Sequence, residues 1–390
     1  MPTRALTDTF NRFFESERSG GMLLILCTVV SIALTNSAIG PSYLAFWQRE
    51  LFGMSIEHWI NDGLMAIFFL LIGLELEREL YVGELSRLRN ALLPIFAAIG
   101  GMAVPALWHF AFNQGLPSQD GIGIPMATDI AFALGVLSLL GNRVPASLKV
   151  FVVAFAVIDD LGAIIMIALF YTAKLNVGFL LGGLGVWFAM LALNRIFRIS
   201  SLPVYLLGGA LLWFMMLKSG VHATIAGVML AFAIPFWSGT QGKHSPSHDL
   251  EHMLHKPAAF LILPLFALAN TGIVLSLDWM SMMATPNSIG IIGGLVLGKP
   301  AGVFAISFAA VLLGLCQLPP DLKWRHVLGA GLLGGIGFTM SIFITNLAFA
   351  SDPAIINASK IAILCASILA GALSYYWLIL TGGGATRSTE

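Results

Sequence analysis

The stretch VFVVAFAVIDDLGAIIMIALFYTA, residues 150–173, holds two adjacent aspartates, Asp159 and Asp160, and no other charged residue. It is long enough to cross a bilayer as a helix. A carboxylate at the centre of such a helix opposes insertion by roughly 2.5–3.5 kcal/mol, and two side by side repel each other. A helix that only spans has little reason to carry them. A helix that binds protons or cations does. The competing reading is a purely structural polar pair.

Working outward, the 390 residues are 58% hydrophobic and 10% charged, with a mean hydropathy of +0.89. A soluble domain is nearer 25% charged, so the chain reads as a polytopic membrane protein forming one integral domain over residues 1–390. Twelve apolar segments run near 14–35, 57–80, 92–113, 121–141, 148–172, 178–197, 202–218, 220–236, 253–274, 288–313, 327–349 and 356–380. Short and glycine-rich segments leave room for eleven or thirteen. The first is expected to be retained rather than cleaved, because Asp8, Glu15 and Glu17 interrupt its basic flank. An even count puts both termini on one side. Arg4, Arg12, Arg18, Arg78, Arg87, Arg89, Arg143, Lys149, Arg195, Arg198, Lys243, Lys256, Lys323, Arg325 and Arg387 fall on that side. Arg49, Lys174, Lys218 and Lys360 fall on the other. This positive-inside bias predicts cytoplasmic termini. Cys27, Cys316 and Cys365 are far apart in apolar runs, which predicts free thiols rather than a disulfide framework or metal site. No basic or aromatic-basic pattern suggests nucleic acid.

Two polar segments stand out. Residues 237–257 are expected to form a cytoplasmic loop containing His244, His248, Asp249, Glu251, His252 and His255. Residues 41–56, PSYLAFWQRELFGMSI, are expected to form an extracytoplasmic hairpin or interfacial helix.

The fourth span reads GIGIPMATDIAFALGV, residues 121–136. Gly121, Gly123 and Pro125 weaken regular helix just before Thr128 and Asp129. The eleventh reads GAGLLGGIGFTMSIFI, residues 329–344, with Gly334, Gly335 and Gly337 ahead of Thr339 and Ser341. Irregular backbone at membrane depth survives only where protein or a water-filled cavity satisfies it. The two interruptions occupy corresponding places in spans 3–5 and 10–12. Seven span-steps separate equivalents, and an odd offset inverts topology. The expected fold is therefore all-α and polytopic, with inverted repeats and two interrupted crossing helices. The alternative is that the glycines serve only close helix packing.

Lys299, in the apolar tenth span, is costly unless paired with a carboxylate or kept neutral, and Pro300 predicts local irregularity beside it. Its bland reading is snorkelling to an interface. Adjacent helix positions differ by about 100°, so Asp159 and Asp160 cannot point the same way. One suits an ion cavity and the other a partner such as Lys299; geometry alone leaves the assignment open. Asp129 reads either as an ion ligand or as a cap on a broken helix, with Asp129 compensating N-terminal and Lys299 C-terminal helix ends. Asp62 lies near a span end and reads first as structural. Glu75 reads as a helix-end charge, His222 as a packing residue, and the loop histidines as solvated groups whose titration range suits pH sensing.

Carboxylates, the Thr128 hydroxyl and freed carbonyls are oxygen ligands of the kind hard cations prefer. A carboxylate in a low-dielectric site beside a like charge also holds protons more tightly. Proton and cation then compete for one site. If that site opens to one side at a time, competition alone gives exchange. Two carboxylates releasing two protons for one monovalent cation make it electrogenic.

At these residues the chain resembles the NhaA-type sodium/proton antiporters. The likeness is carried by NDGLMAIFFLLIGLELEREL (61–80), GIPMATDIAFALGVLSLLG (123–141), FAVIDDLGAIIMIALFYT (155–172), SGVHATIAGV (219–228), LEHMLHKPAAFLILPLFALANTG (250–272), LVLGKPAG (295–302) and GIGFTMSIFI (335–344). The resemblance implies a pH-regulated antiporter of the bacterial inner membrane that exports Na⁺ or Li⁺ and imports H⁺. It implies no organic cofactor and no enzymatic chemistry. It makes Asp160 the principal cation and proton site. Asp159 joins it or pairs with Lys299, while Thr128 and Asp129 lie at the helix crossing. It associates Glu75, Glu251, His252, His255 and, more loosely, His222 with pH activation, and the segment after span 1 with homodimer contact.

A sodium-coupled organic-anion symporter of similar fold is the nearest alternative, but it requires aromatic or basic groups near the breaks. An intramembrane aspartyl protease requires its aspartates on different helices in YD and GxGD contexts. A simple channel requires a ring of filter carbonyls.

Overall fold

The computed structural model describes residues 2–172, 175–237, 245–275 and 279–381. Among these, nine helices are long and apolar enough to cross a membrane. The count rises to eleven when the pairs Ser19–Thr35 with Gly40–Trp47 and Trp324–Gly334 with Phe338–Ala348 are each taken as one span. Many large apolar side chains face outward on these helices, including Leu207, Leu312 and Leu380 at 75–80% exposure. In water such a surface would aggregate; in a bilayer it is the lipid face.

The twelve expected apolar segments differ from the structure at the eighth, 220–236. It contains only the seven-residue helix Ile225–Ala231. Gly220 ends the preceding helix at φ +85°, and Pro235 follows turns at 232–234. Seven residues rise about 10 Å, a third of a bilayer core.

The chain divides into two compact units. The first comprises Met1–Ile32, Arg87–Ala163 and Ile273–Glu390, and so holds both proposed three-span repeats up to residue 163. Its core gathers Leu134, Leu137, Phe155, Val303, Val327 and Leu333. The equivalent third and tenth spans meet at two glycines. A Cβ on Gly100 would lie 2.1 Å from the Gly302 carbonyl oxygen, and one on Gly302 would lie 2.0 Å from that of Gly100. Only two glycines permit this reciprocal approach.

Both interrupted spans break where the sequence places the interruption. Pro117–Met126 is a ten-residue 3₁₀ helix, long for that form. Ala127 and Asp129 are then extended before the α-helix Ile130–Leu140 begins. The eleventh span bends by 47° between Trp324–Gly334 and Phe338–Ala348. The tenth span widens into a π turn at Gly294–Gly298, closed by the Lys299 amide donating to the Gly294 carbonyl. Pro300 has no N–H to offer and its ring crowds the carbonyl four residues back, so the wider turn relieves both problems.

The second unit comprises Ala33–Ser86 and Ile164–Gly272. Tyr205, Leu74, Leu212, Ala231 and Ile234 form part of its core. Asn61 and Asn270 exchange amide hydrogen bonds of 3.1 and 2.8 Å between two of its spans. The 41–56 segment forms the helix Gly40–Trp47 and a hairpin of the strands Glu50–Leu51 and Met54–Ser55. Gly53 turns the hairpin at φ +81°. Of the expected 237–257 loop, residues 238–244 lie outside the described residues. From Pro246 onward the chain is helical, because Ser245 caps the helix by accepting from the His248 amide at 3.3 Å.

The close approaches make a direct prediction. Gly302→Val should cost on the order of 1–3 kcal/mol by overpacking, seen as a lower melting temperature in detergent. Gly185→Ala, where an added Cβ meets nothing within 4 Å, should leave it unchanged or slightly higher. An unaltered melting temperature for Gly302→Val would contradict this packing.

Candidate functional site

Asp159, Asp160, Lys299, Thr128 and Asp129 all lie in the first unit and are each 2% exposed or less. Their helix would expose Asp159 and Asp160 to hydrocarbon if it stood alone; in the fold, Lys299 of the tenth span and Thr128 of the fourth lie against Asp159, and Gly334 of the eleventh against Phe155. Lys299 settles which aspartate takes the partner. Its Nζ donates to Asp159 Oδ2 at 2.7 Å and also to the Met126 carbonyl. The Phe155 ring, one helical turn before Asp159, lies 5.9 Å from the ammonium and covers it with an aromatic face. A buried charge pair is tolerable only when such extra hydrogen bonds complete it. Asp160 lies about 100° around the helix, and Lys299 feels its charge as well. Asp159 Oδ1 accepts no hydrogen bond among the described residues, and Thr128 adjoins the same carboxyl.

The two breaks are stitched together by side chains. Thr128 Oγ1 donates to the Gly334 carbonyl at 3.0 Å, and Ser341 Oγ to the Ile124 carbonyl at 2.7 Å. The Asp129 amide donates to the Ile336 carbonyl at 2.6 Å. The Asp129 carboxyl accepts from the Phe132 and Thr339 amides, both at 3.0 Å, and from the Thr339 hydroxyl. One carboxylate therefore serves the N-termini of both half-helices, where anions are favoured. Lys299 serves the Met126 carbonyl at the end of the 3₁₀ half.

The remaining sequence candidates lie in the second unit. Asp62 pairs with His58 at 2.9 Å. Arg78, which sequence reasoning passed over, organises the next group. Its Nη1 meets Glu251 at 2.8 Å and its Nη2 meets Glu79 at 3.1 Å. It also feels Glu75, which is half-buried. His248 approaches Glu251 at 3.7 Å. His255, one turn beyond Glu251, is half-buried within reach of the Arg78 charge, whereas His252 is exposed. His222 is elsewhere. Its Nε2 bonds the Tyr171 carbonyl at 2.8 Å. Gly227 packs on Ala66, and Gly73 on Ala231, so these two helices run in the same direction. His222 thus lies toward the Trp59 end, opposite Arg78.

Glu77 was also missed. It is 3% exposed and accepts from Ser247 Oγ at 2.7 Å. Its signal was present: an acidic residue two positions from Glu75 points to another face of the helix. Among the described residues, no three His, Cys, Asp or Glu side chains converge as a metal-binding group. What the first unit offers is two adjacent buried carboxylates, a hydroxyl and backbone carbonyls. These are oxygen donors for a proton or a hard cation, held beside a lysine whose charge occupies one carboxylate.

Comparison with known proteins identifies the family. The family model described as Na⁺/H⁺ antiporter 1 matches residues 11–378. The Na⁺/H⁺ antiporter NhaA of Dechloromonas aromatica is 66% identical over 373 residues, covering 96% of each chain. The Na⁺/H⁺ antiporter NhaA 1 of Flavobacterium johnsoniae is 58% identical over 373 residues, covering 96% of this chain and 97% of its own. That of Vibrio campbellii is 49% identical over 375 residues, covering 96% and 95%. The chain belongs to the Na⁺/H⁺ antiporter 1 family.

Proposed function

We propose that this protein exchanges Na⁺ or Li⁺ for protons by alternating access, with Asp160 and Asp159 as the shared cation and proton site. The observation that carries this reading is the buried Lys299–Asp159 pair beside Asp160, at the crossing of two broken helices. The Lys299 ammonium stands where a cation bound to Asp159 would stand. Cation binding displaces it, while Asp160 and Thr128 supply further oxygens. Protonation of the carboxyls reverses the exchange. Two protons leaving for one monovalent cation, one from Asp160 and one from the Lys299–Asp159 pair, move net charge, so the cycle responds to membrane voltage. The basic-residue bias supports a bacterial inner-membrane protein with both termini in the cytoplasm.

We assign the pH response to the Arg78 group. Glu75, Glu79, Glu251, His248 and His255 surround that guanidinium, with His252 on the exposed face. The balance of positive and negative charge around this guanidinium sets how readily a cation approaches.

Two measurements follow. Na⁺ or Li⁺ added to proteoliposomes should collapse a preset pH gradient between pH 6 and 9, and Asp160→Asn should abolish the collapse. His252→Gln with His255→Gln should move the activity profile along the pH axis. No collapse with either ion would refute the exchange, and an unmoved profile would return pH control to Asp160 itself. Separately, Lys299→Ala should cost roughly 3–5 kcal/mol by stranding Asp159. The double substitution Lys299→Met with Asp159→Leu should recover most of the melting temperature. A double variant as unstable as the single would mean that the pair's charge is not what Lys299→Ala disturbs.

A further inference from the structure

The third span carries a second buried polar group that the ion site does not use. His109 and Asn113 are 0% exposed and lie one turn apart in Leu88–Asn113. Asn113 Nδ2 donates to the His109 carbonyl at 2.9 Å and to the Pro286 carbonyl at 3.1 Å, and Asn113 Oδ1 accepts from Ser118 Oγ at 2.6 Å. The His109 Nε2 meets Asn287 Oδ1 at 3.2 Å, and Asn287 Nδ2 donates to Ser359 Oγ at 2.7 Å. Four chain segments are thereby tied together: the third span, the 3₁₀ half-helix Pro117–Met126, and the beginnings of the tenth and twelfth spans. Unsatisfied polar groups are expensive in such an interior, so each tie resists displacement of the segment at its far end.

The 3₁₀ half-helix is held by this group at two points. Ser118 anchors its start. Three residues on, Gly121 rests against the imidazole, where a Cβ would come within 3.1 Å of Cε1 and Nε2 and within 2.9 Å of the Phe349 ring. From Gly121 the half-helix runs about 10 Å, at 2 Å per residue, to Met126, whose carbonyl accepts from Lys299. Thr128 follows two residues later. The third span also bears on the lysine's own helix, because Gly298 packs on Pro105 with a Cβ distance of 3.1 Å to its Cα. One helix therefore sets the height of both the Met126 carbonyl and Lys299.

We infer that His109 is a positioning residue for cation binding. Its ring seats Gly121 of the 3₁₀ half-helix while Nε2 ties that ring to Asn287 at the start of the tenth span, and through the half-helix it sets the place of the Met126 carbonyl and Thr128 beside Asp159. Its Nδ1 has no hydrogen-bond partner among the described residues, so Nε2 makes the ring's hydrogen bond. Glutamine, whose amide nitrogen reaches the position of Nε2, should substitute for it; leucine should not. A loosened half-helix moves the Met126 carbonyl and Thr128 and so weakens ligation of the ion, while Asp160 and Asp159 stay on their own helix. The effect then falls on the apparent KM for Na⁺ rather than on the maximal rate.

This inference rests on the reading of Asp160 and Asp159 as the ion site, and one experiment separates the two. Na⁺-dependent proton flux is measured in proteoliposomes holding wild type, His109→Leu, His109→Gln, Ser359→Ala and Asp160→Asn, with melting temperatures for all. His109→Leu should raise the apparent KM for Na⁺ by about fivefold or more with a maximal rate within about twofold of wild type. His109→Gln should restore it, and Ser359→Ala should raise it by less. A wild-type KM in His109→Leu, even with a lowered melting temperature, would overturn the inference and leave a purely structural tie. If His109→Leu does not accumulate, a wild-type KM in Ser359→Ala overturns it equally. Undiminished flux in Asp160→Asn would instead overturn the site reading, and this inference with it.

Discussion

A lysine and an aspartate buried in the middle of a membrane protein must be satisfied by the protein itself, since lipid offers neither charge nor hydrogen bond. Lys299 and Asp159 impose that requirement on this fold. Meeting it takes a carbonyl that no continuous helix would release, and the 3₁₀ half-helix ending at Met126 provides it. That interruption exposes helix ends, which Asp129 then caps on two half-helices at once. The π turn ahead of Lys299 makes room for Pro300. The Gly100–Gly302 contact draws the third and tenth spans close enough for the rest to meet.

The same economy gives the site its chemistry. Lysine already balances one carboxylate, so in the proposed exchange an arriving cation would replace its charge rather than neutralise an empty acid pair. That is a smaller electrostatic change than filling an isolated dicarboxylate. A site that trades one positive charge for another, in a protein of the Na⁺/H⁺ antiporter 1 family, is suited to coupling opposed ion movements.

Much of this was legible in the residues. Charged groups inside apolar spans are conspicuous because insertion opposes them, so Asp159, Asp160, Asp129 and Lys299 announce themselves. Glycine and proline near Thr128 and Thr339 mark the breaks because those residues act on the backbone directly. The choice between Asp159 and Asp160 was not legible, because it depends on where the tenth span places Lys299. The eighth segment misleads by hydropathy, which counts apolar residues without registering that Gly220 and Pro235 leave only seven in a helix. The loop before Glu251 misleads in the opposite direction: polar composition suggested solvated coil, yet a serine cap starts a helix there. His109, Asn287 and Ser359 were silent because each looks like an isolated polar residue until packing brings the three together.

The central claim is that cation and proton compete for the same buried carboxylates. It is tested most directly by adding Na⁺ to purified protein in weakly buffered detergent solution at alkaline pH and measuring proton release. The account predicts that protons leave as Na⁺ binds, that higher proton concentration weakens Na⁺ binding, and that Asp160→Asn abolishes the release. Saturable Na⁺ binding with no proton release at any pH would contradict it.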